Sequence, residues 1–324
     1  MTTIIHGTVS GHCIALADSA IFVMLFTPER GKRSIFTLQI QYPMKTVIAA
    51  TDFSDNANHA VGFAADFAKK THAKLIIFNA VTIQPIWSEY PVPEELYEEA
   101  VDASKDNLTK LKNDMEKRTD GTIKITVVEK SGTFRNELEQ LCGKENPLAI
   151  FIASHLAGPL ERILIGSHAL SAAKHNDFPV IVVPELANFI SFGKIALALD
   201  LLDPWDDYPF HWVKDWMQFF DSTLDIVYIT PHGGVSPNEL PEAIDIQNML
   251  SGLSPHFHLI ENKKVVDGIL EYVEVNNPDL LVVFPKKHTW FHKSESNPLI
   301  FQPPVPLMVW SHNIKEENIK SKLS

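Results

Sequence analysis

The run from Leu148 to Pro184 constrains the fold most. An apolar strand, Leu148 to Ile152, passes into a loop carrying Gly166 and Ser167. These two stand directly before a helical run (Ala169, Leu170, Ala172, Ala173), and a last apolar strand, Val180 to Val183, closes the segment. Strand, glycine-bearing loop, helix start and buried strand, in that order, read as part of an α/β protein with a parallel sheet. Such a loop sits at strand ends, where the N–H groups of a helix start attract anions.

The preceding hundred or so residues carry the same grammar. Thr46 to Ala50 is a short apolar run of the kind buried on both faces of a parallel sheet. Thr51, Asp52, Phe53 and Ser54 form a turn into a helix, which Ser54 caps with Asp55 in its first turn; Ala57, Ala60, Val61, Ala64, Ala65 and Ala68 mark its buried face. Lys74 to Val81 is a second strand. After the proline-bearing stretch Gln84 to Pro93, a polar helix runs from Glu94 to Arg118, with Leu96, Tyr97, Val101, Leu108, Leu111 and Met115 as its apolar positions and a solvated face of acids and lysines. Thr122 to Val128 reads as the third strand, and Gly132 to Gly143 as a turn and short helix. A doubly wound sheet follows, with a crevice joining Asp52 to the loop from Ala153 to Ala169.

This arrangement resembles a universal stress protein domain, whose nucleotide-binding members carry G-x2-G-x9-G-[ST] after the fourth strand. Gly166 and Ser167 match the end of that pattern, while Ala153 and Leu156 stand at its first two glycines; MKTVIAATDFS from Met44 looks like the start of such a domain. The resemblance implies an adenine-nucleotide sensor that takes ATP or AMP in this domain. By the same carry-over, Asp52 and the backbone of Ala50, Thr51 and Ala80 line the adenine and ribose end. Ser154, His155, Gly166, Ser167, His168 and Ala169 face the phosphates, and Ile152, Ala153 and Leu156 complete the expected binding residues. Glycine lets a phosphate approach the backbone, and a leucine at 156 partly fills that space. The alternative is therefore a nucleotide-free protein-interaction scaffold, its pocket plugged by Leu156. Asp52 also reads as an Asx turn leading into the helix, and both roles can hold.

A second pass finds the pattern again in worn form. KIALALDLLD (Lys194 to Asp203) parallels MKTVIAATDFS, with Leu199 opposite Thr51 and Asp200 opposite Asp52. Leu224 to Ile229, Phe257 to Ile260, a helix over Val265 to Val273, Leu280 to Phe284 and VPLMVW (Val305 to Trp310) follow in the same order. The expected architecture is two tandem doubly wound, Rossmann-like domains, each with a mostly parallel five-stranded sheet. They cover residues 44–186 and 190–312, after an extension at 1–43 and before a polar tail at 313–324. The second copy has no Gly-Ser pair in its loop, so no nucleotide is expected there. Its Lys286, Lys287, His288, His292 and Lys293 read as a solvated loop. Family dimers imply a pseudo-twofold pairing of the halves through Val180 to Val183 and Leu307 to Trp310, with a homodimer as a further option.

Composition narrows the function classes. A net charge of −12 without a basic stretch argues against nucleic acid as a partner. Cys13 and Cys142 form neither a disulfide framework nor a zinc knuckle, which fits a reducing cytoplasm. Ile14 to Phe26 is apolar but interrupted by Asp18, so neither a signal peptide nor a membrane span is expected, and residues 1–43 read as an extension or a hairpin. GxGxxG, G-x4-GK[ST], HExxH and GxSxG are all absent, so binding rather than turnover is expected, with slow ATP hydrolysis at most. His256 and His258 share a strand face but lack a third ligand at metal spacing. His155 and His168 flank the loop, and His175 ends the following helix.

Overall fold

A computed structural model describes residues 13–15, 21–26, 34–39, 45–82, 94–154, 178–199, 210–230, 241–250, 252–284 and 304–310. Two compact units divide the chain, Met1–Met44 and Lys45–Ser324. In the first unit, β1 (Cys13–Ala15), β2 (Ile21–Phe26) and β3 (Ser34–Gln39) form an antiparallel sheet in sequential order.

The second unit is built on one ten-stranded sheet. Its strands are β4 (Thr46–Ala50), β5 (Lys74–Val81), β6 (Ile125–Ser131), β7 (Ala149–Ala153), β8 (Val180–Val183), β9 (Lys194–Ala198), β10 (Thr223–Thr230), β11 (His256–Glu261), β12 (Leu280–Val283) and β13 (Leu307–Val309). They lie in the order β11-β10-β9-β12-β13-β8-β7-β4-β5-β6. The order read outward from β8 and from β13 is the same in both sets of five. Every pairing is parallel except β8 with β13, where the sets meet. Two expected five-stranded sheets are thus joined edge to edge, which removes an open edge from each.

The helices are α1 (Asp55–Thr71), α2 (Glu94–Arg118), α3 (Phe134–Glu145), α4 (Phe210–Phe220), α5 (Pro241–Met249) and α6 (Val265–Asn276). All five residues of β4 are buried, as a strand covered on both faces requires. Val47, Ala49 and Ile77 pack with Phe67 of α1 and Trp216 of α4 on one face; Ile48, Ile76 and Phe78 pack with Leu138 of α3 on the other. Both cores run through both sets. On the first face, aromatic rings bridge them: Phe67 lies 5.5 Å from Trp216 and 6.0 Å from Phe192. Such pairs contribute about 1 kcal/mol each beyond burial.

The third strand begins later than its sequence suggests. After α2, Asp120 and Gly121 both take positive φ, and the Thr122 hydroxyl donates to the Thr119 carbonyl, so this turn uses the residues before Ile125. Among the described residues no helix is long and apolar enough to cross a membrane.

Candidate functional site

The crevice expected from the sequence falls where the first set reverses direction. β4 leads to β5 and β6 on one side, while its other neighbour, β7, leads to β8. Ala49 of β4 pairs with Phe151 of β7, so the turn after Ala50 and the chain after Ala153 emerge side by side at the C-terminal strand ends. In open α/β sheets such a switch point is the ligand position.

The turn is fixed by a dense polar network. The Thr51 N–H donates to the Phe78 carbonyl at 2.9 Å, and its carbonyl accepts from Asn79 Nδ2 at 2.7 Å. The Thr51 hydroxyl accepts from the Phe53 N–H at 2.9 Å and donates to Asn58 Oδ1 at 3.2 Å. Every polar group of Thr51 therefore has an internal partner. Phe53 sits at φ 68°, strained for a large side chain, and Asn58 Nδ2 holds its carbonyl at 3.1 Å. Ser54 is the helix cap, its Oγ accepting from the Ala57 N–H at 3.3 Å. Asp52, which is exposed, accepts the Ser54 N–H at 3.0 Å and so makes the Asx turn.

Of the residues expected at the site, Ala50, Thr51, Asp52, Ala80, Ile152, Ala153 and Ser154 all lie at this one end of the sheet. Ala50, Thr51, Ile152 and Ser154 are buried, Ala80 and Ala153 half-buried. The Ser154 N–H donates to the Val183 carbonyl at 3.0 Å. His155, Leu156, Gly166, Ser167, His168 and Ala169 lie outside the described residues, as do His175, Asp200 and the basic loop at 286–293.

Sequence reasoning missed Asn79 and Ser104. Asn79 is the one polar side chain after Lys74 in KLIIFNAV, a signal that was available. Ser104, among the charges of α2, gave none; its hydroxyl donates to Asn79 Oδ1 at 2.8 Å, and both side chains are buried. Asn58 was also missed, because its role depends on a backbone conformation that Phe53 does not advertise.

The corresponding end of the second set differs in chemistry. Leu199 donates its N–H to the Val227 carbonyl as Thr51 does to Phe78, which sets Leu199, Tyr228 and Ile229 at the register positions of Thr51, Asn79 and Ala80. Ile150 and Leu281 likewise donate to the carbonyls of Pro179 and Pro306, setting Phe284 at the position of Ala153. Thr51, Ala80 and Ala153 stand at these positions in the first set; buried Leu199, Ile229 and Phe284 stand there in the second.

A separate polar group lies at the opposite, N-terminal end of β10. Asp225, buried, accepts a hydrogen bond from the Tyr272 hydroxyl, with His256 Nδ1 at 3.3 Å and His258 Nε2 at 3.5 Å. Burial, and then the hydrogen bond to Asp225, push the Tyr272 pKa above the ordinary phenol value. Among the described residues no cluster of three His, Cys, Asp or Glu is disposed to hold a metal ion.

A doubly wound parallel sheet with its crevice at the switch point, closed by an Asp-bearing turn and a capped helix, defines a Rossmann-like α/β protein. Residues 43–184 match the universal stress protein family, so the chain carries a domain of that family. A universal stress protein from Archaeoglobus fulgidus DSM 4304 shares the fold at a TM-score of 0.64 and 18% identity, over 83% of this chain and 98% of that one. A functionally unknown protein from Pseudomonas aeruginosa PAO1 does so at 0.55 and 12%, over 87% and 98%. A universal stress protein solved in complex with cAMP is 23% identical over 44% of this chain and 97% of its own, at a TM-score of 0.32. No curated protein matches the chain.

Proposed function

We propose that the chain is a nucleotide-responsive stress protein that binds one adenine nucleotide, ATP or AMP, in the crevice of its first five-strand set. The observation that carries this reading is the contrast at equivalent register positions: Thr51, Ala80 and Ala153 in the first set, Leu199, Ile229 and Phe284 in the second. The small side chains of Ala80 and Ala153 support the reading, because a flat base needs room there. Exposed Asp52 supplies a carboxylate able to accept from ribose hydroxyls or an exocyclic amine. The second set is, on this reading, a ligand-free copy of the same fold that supports the first through the β8–β13 seam. The output is a change of shape or partner, not turnover, and the setting is the cytoplasm.

Gly166 and Ser167, which the sequence sets directly before a helical run, would on this reading hold phosphate through their N–H groups. The test is thermal denaturation with ATP, AMP and cAMP titrated separately, on the natural protein and on Leu156→Gly. The reading predicts a melting temperature that climbs with nucleotide concentration and climbs further in the variant. No rise in either protein would leave the nucleotide-free scaffold standing instead.

A further inference from the structure

Helix α2 is fastened unevenly. Of its 25 residues only Ser104, Leu108 and Met115 are buried, and Ser104 is the sole buried residue in the stretch from Glu94 to Asn107. The far end is held more firmly: Met115 is buried there, and Arg118 lies bidentate on Asp66 of α1 at 3.0 and 2.7 Å. Elements with few buried anchors open at low free-energy cost, so the first half of α2 is the part poised to respond.

Its single anchor leads to the crevice. The Ser104 hydroxyl donates to Asn79 Oδ1 at 2.8 Å, and Asn79 Nδ2 donates to the Thr51 carbonyl at 2.7 Å, the residue next to Asp52. Both links are buried, where an unmade bond is costly and an imperfect one cannot be rescued by water. In the second set Tyr228 takes the place of Asn79.

Resting on the nucleotide reading above, we infer that Ser104 and Asn79 are positioning residues that couple occupancy of the crevice to the order of residues 94–107. A ligand that fixes the Thr51–Asp52 turn fixes the Thr51 carbonyl, and with it Asn79, Ser104 and the helix turn that carries Ser104. By linkage the effect is reciprocal: loosening the helix weakens the ligand by the same factor.

Hydrogen exchange on the whole protein, with and without saturating ATP, tests this, and melting temperature is followed in parallel. In the natural protein ATP is expected to raise the melting temperature and slow exchange across residues 94–107 about tenfold, leaving 110–118 unchanged. Ser104→Ala is expected to keep the ATP-dependent rise, with affinity about tenfold weaker, and to lose the slowing. If alanine prevents folding, Ser104→Cys, similar in size and a weaker donor, replaces it with the same expectation. A melting rise without slowing in the natural protein, or equal slowing in the variant, overturns the coupling while leaving nucleotide binding intact. No melting rise in the natural protein overturns both.

Discussion

Met308 of β13 lies directly opposite Ile181 of β8, both fully buried, at the centre of the one antiparallel pairing in the ten-stranded sheet. This pair joins the two strand sets, and each residue belongs to the core that spans both. Met308→Ala is expected to lower stability by about 3 kcal/mol through lost burial and an unfilled cavity. Urea denaturation checks it, and because the core is continuous both sets are expected to unfold in one transition.

Two glycines on helices are expected to respond with opposite signs. A Cβ on Gly268 of α6 would come within 2.9 Å of Ile229 Cδ1 and Cγ2, whereas one on Gly143 of α3 would meet nothing within 4 Å. Gly268→Ala should destabilise by about 1 kcal/mol net, overpacking outweighing helix propensity. Gly143→Ala should stabilise by about 0.5 kcal/mol. The two midpoints in urea read this directly.

Tyr272 sets the behaviour at alkaline pH. Burial and Asp225 hold its pKa above the ordinary phenol value, so the folded state resists ionisation that the unfolded chain undergoes. The contribution is fully present below pH about 10 and is lost as pH rises beyond it. Tyr272→Phe is expected to cost about 2 kcal/mol at neutral pH, because Asp225 loses its donor, and to flatten the stability slope above pH 10. Denaturation midpoints across pH 8 to about 11 measure both effects.

Asn58 holds the strained turn at the crevice. Removing its amide leaves the Phe53 carbonyl and the Thr51 hydroxyl without these partners while Phe53 stays at positive φ. Asn58→Ala is expected to cost about 1–2 kcal/mol of stability and to reduce the ATP-induced melting rise more than that loss alone accounts for. Comparing the ATP-dependent rise in the two proteins tests the second part.

The strand and helix grammar was legible because continuous apolar runs and a capped, alanine-faced helix are local signals. Thr46 to Ala50, Lys74 to Val81 and Val180 to Val183 are strands over those residues, and the helix from Glu94 to Arg118 has those ends. The burial of that helix was less legible: Leu96 is more than half exposed, because its first turns barely meet the sheet. The Asp52 turn and Ser54 cap could be read, since Asx turns and caps are written in neighbouring residues. The contacts Asn79 to Thr51, Ser104 to Asn79 and Tyr272 to Asp225 could not, because each joins residues at least 25 apart that only the sheet brings together. Nor does the chain announce the Phe53 φ, which neighbours impose against the preference of the residue.

The most direct test of the central claim is calorimetric titration of ATP into the natural protein and into Ala153→Phe, which places in the first crevice the residue that the second carries as Phe284. One nucleotide bound per chain in the natural protein, and none in Ala153→Phe, is the predicted result. Two nucleotides per chain, unaltered binding in the variant, or no binding to the natural protein would contradict it.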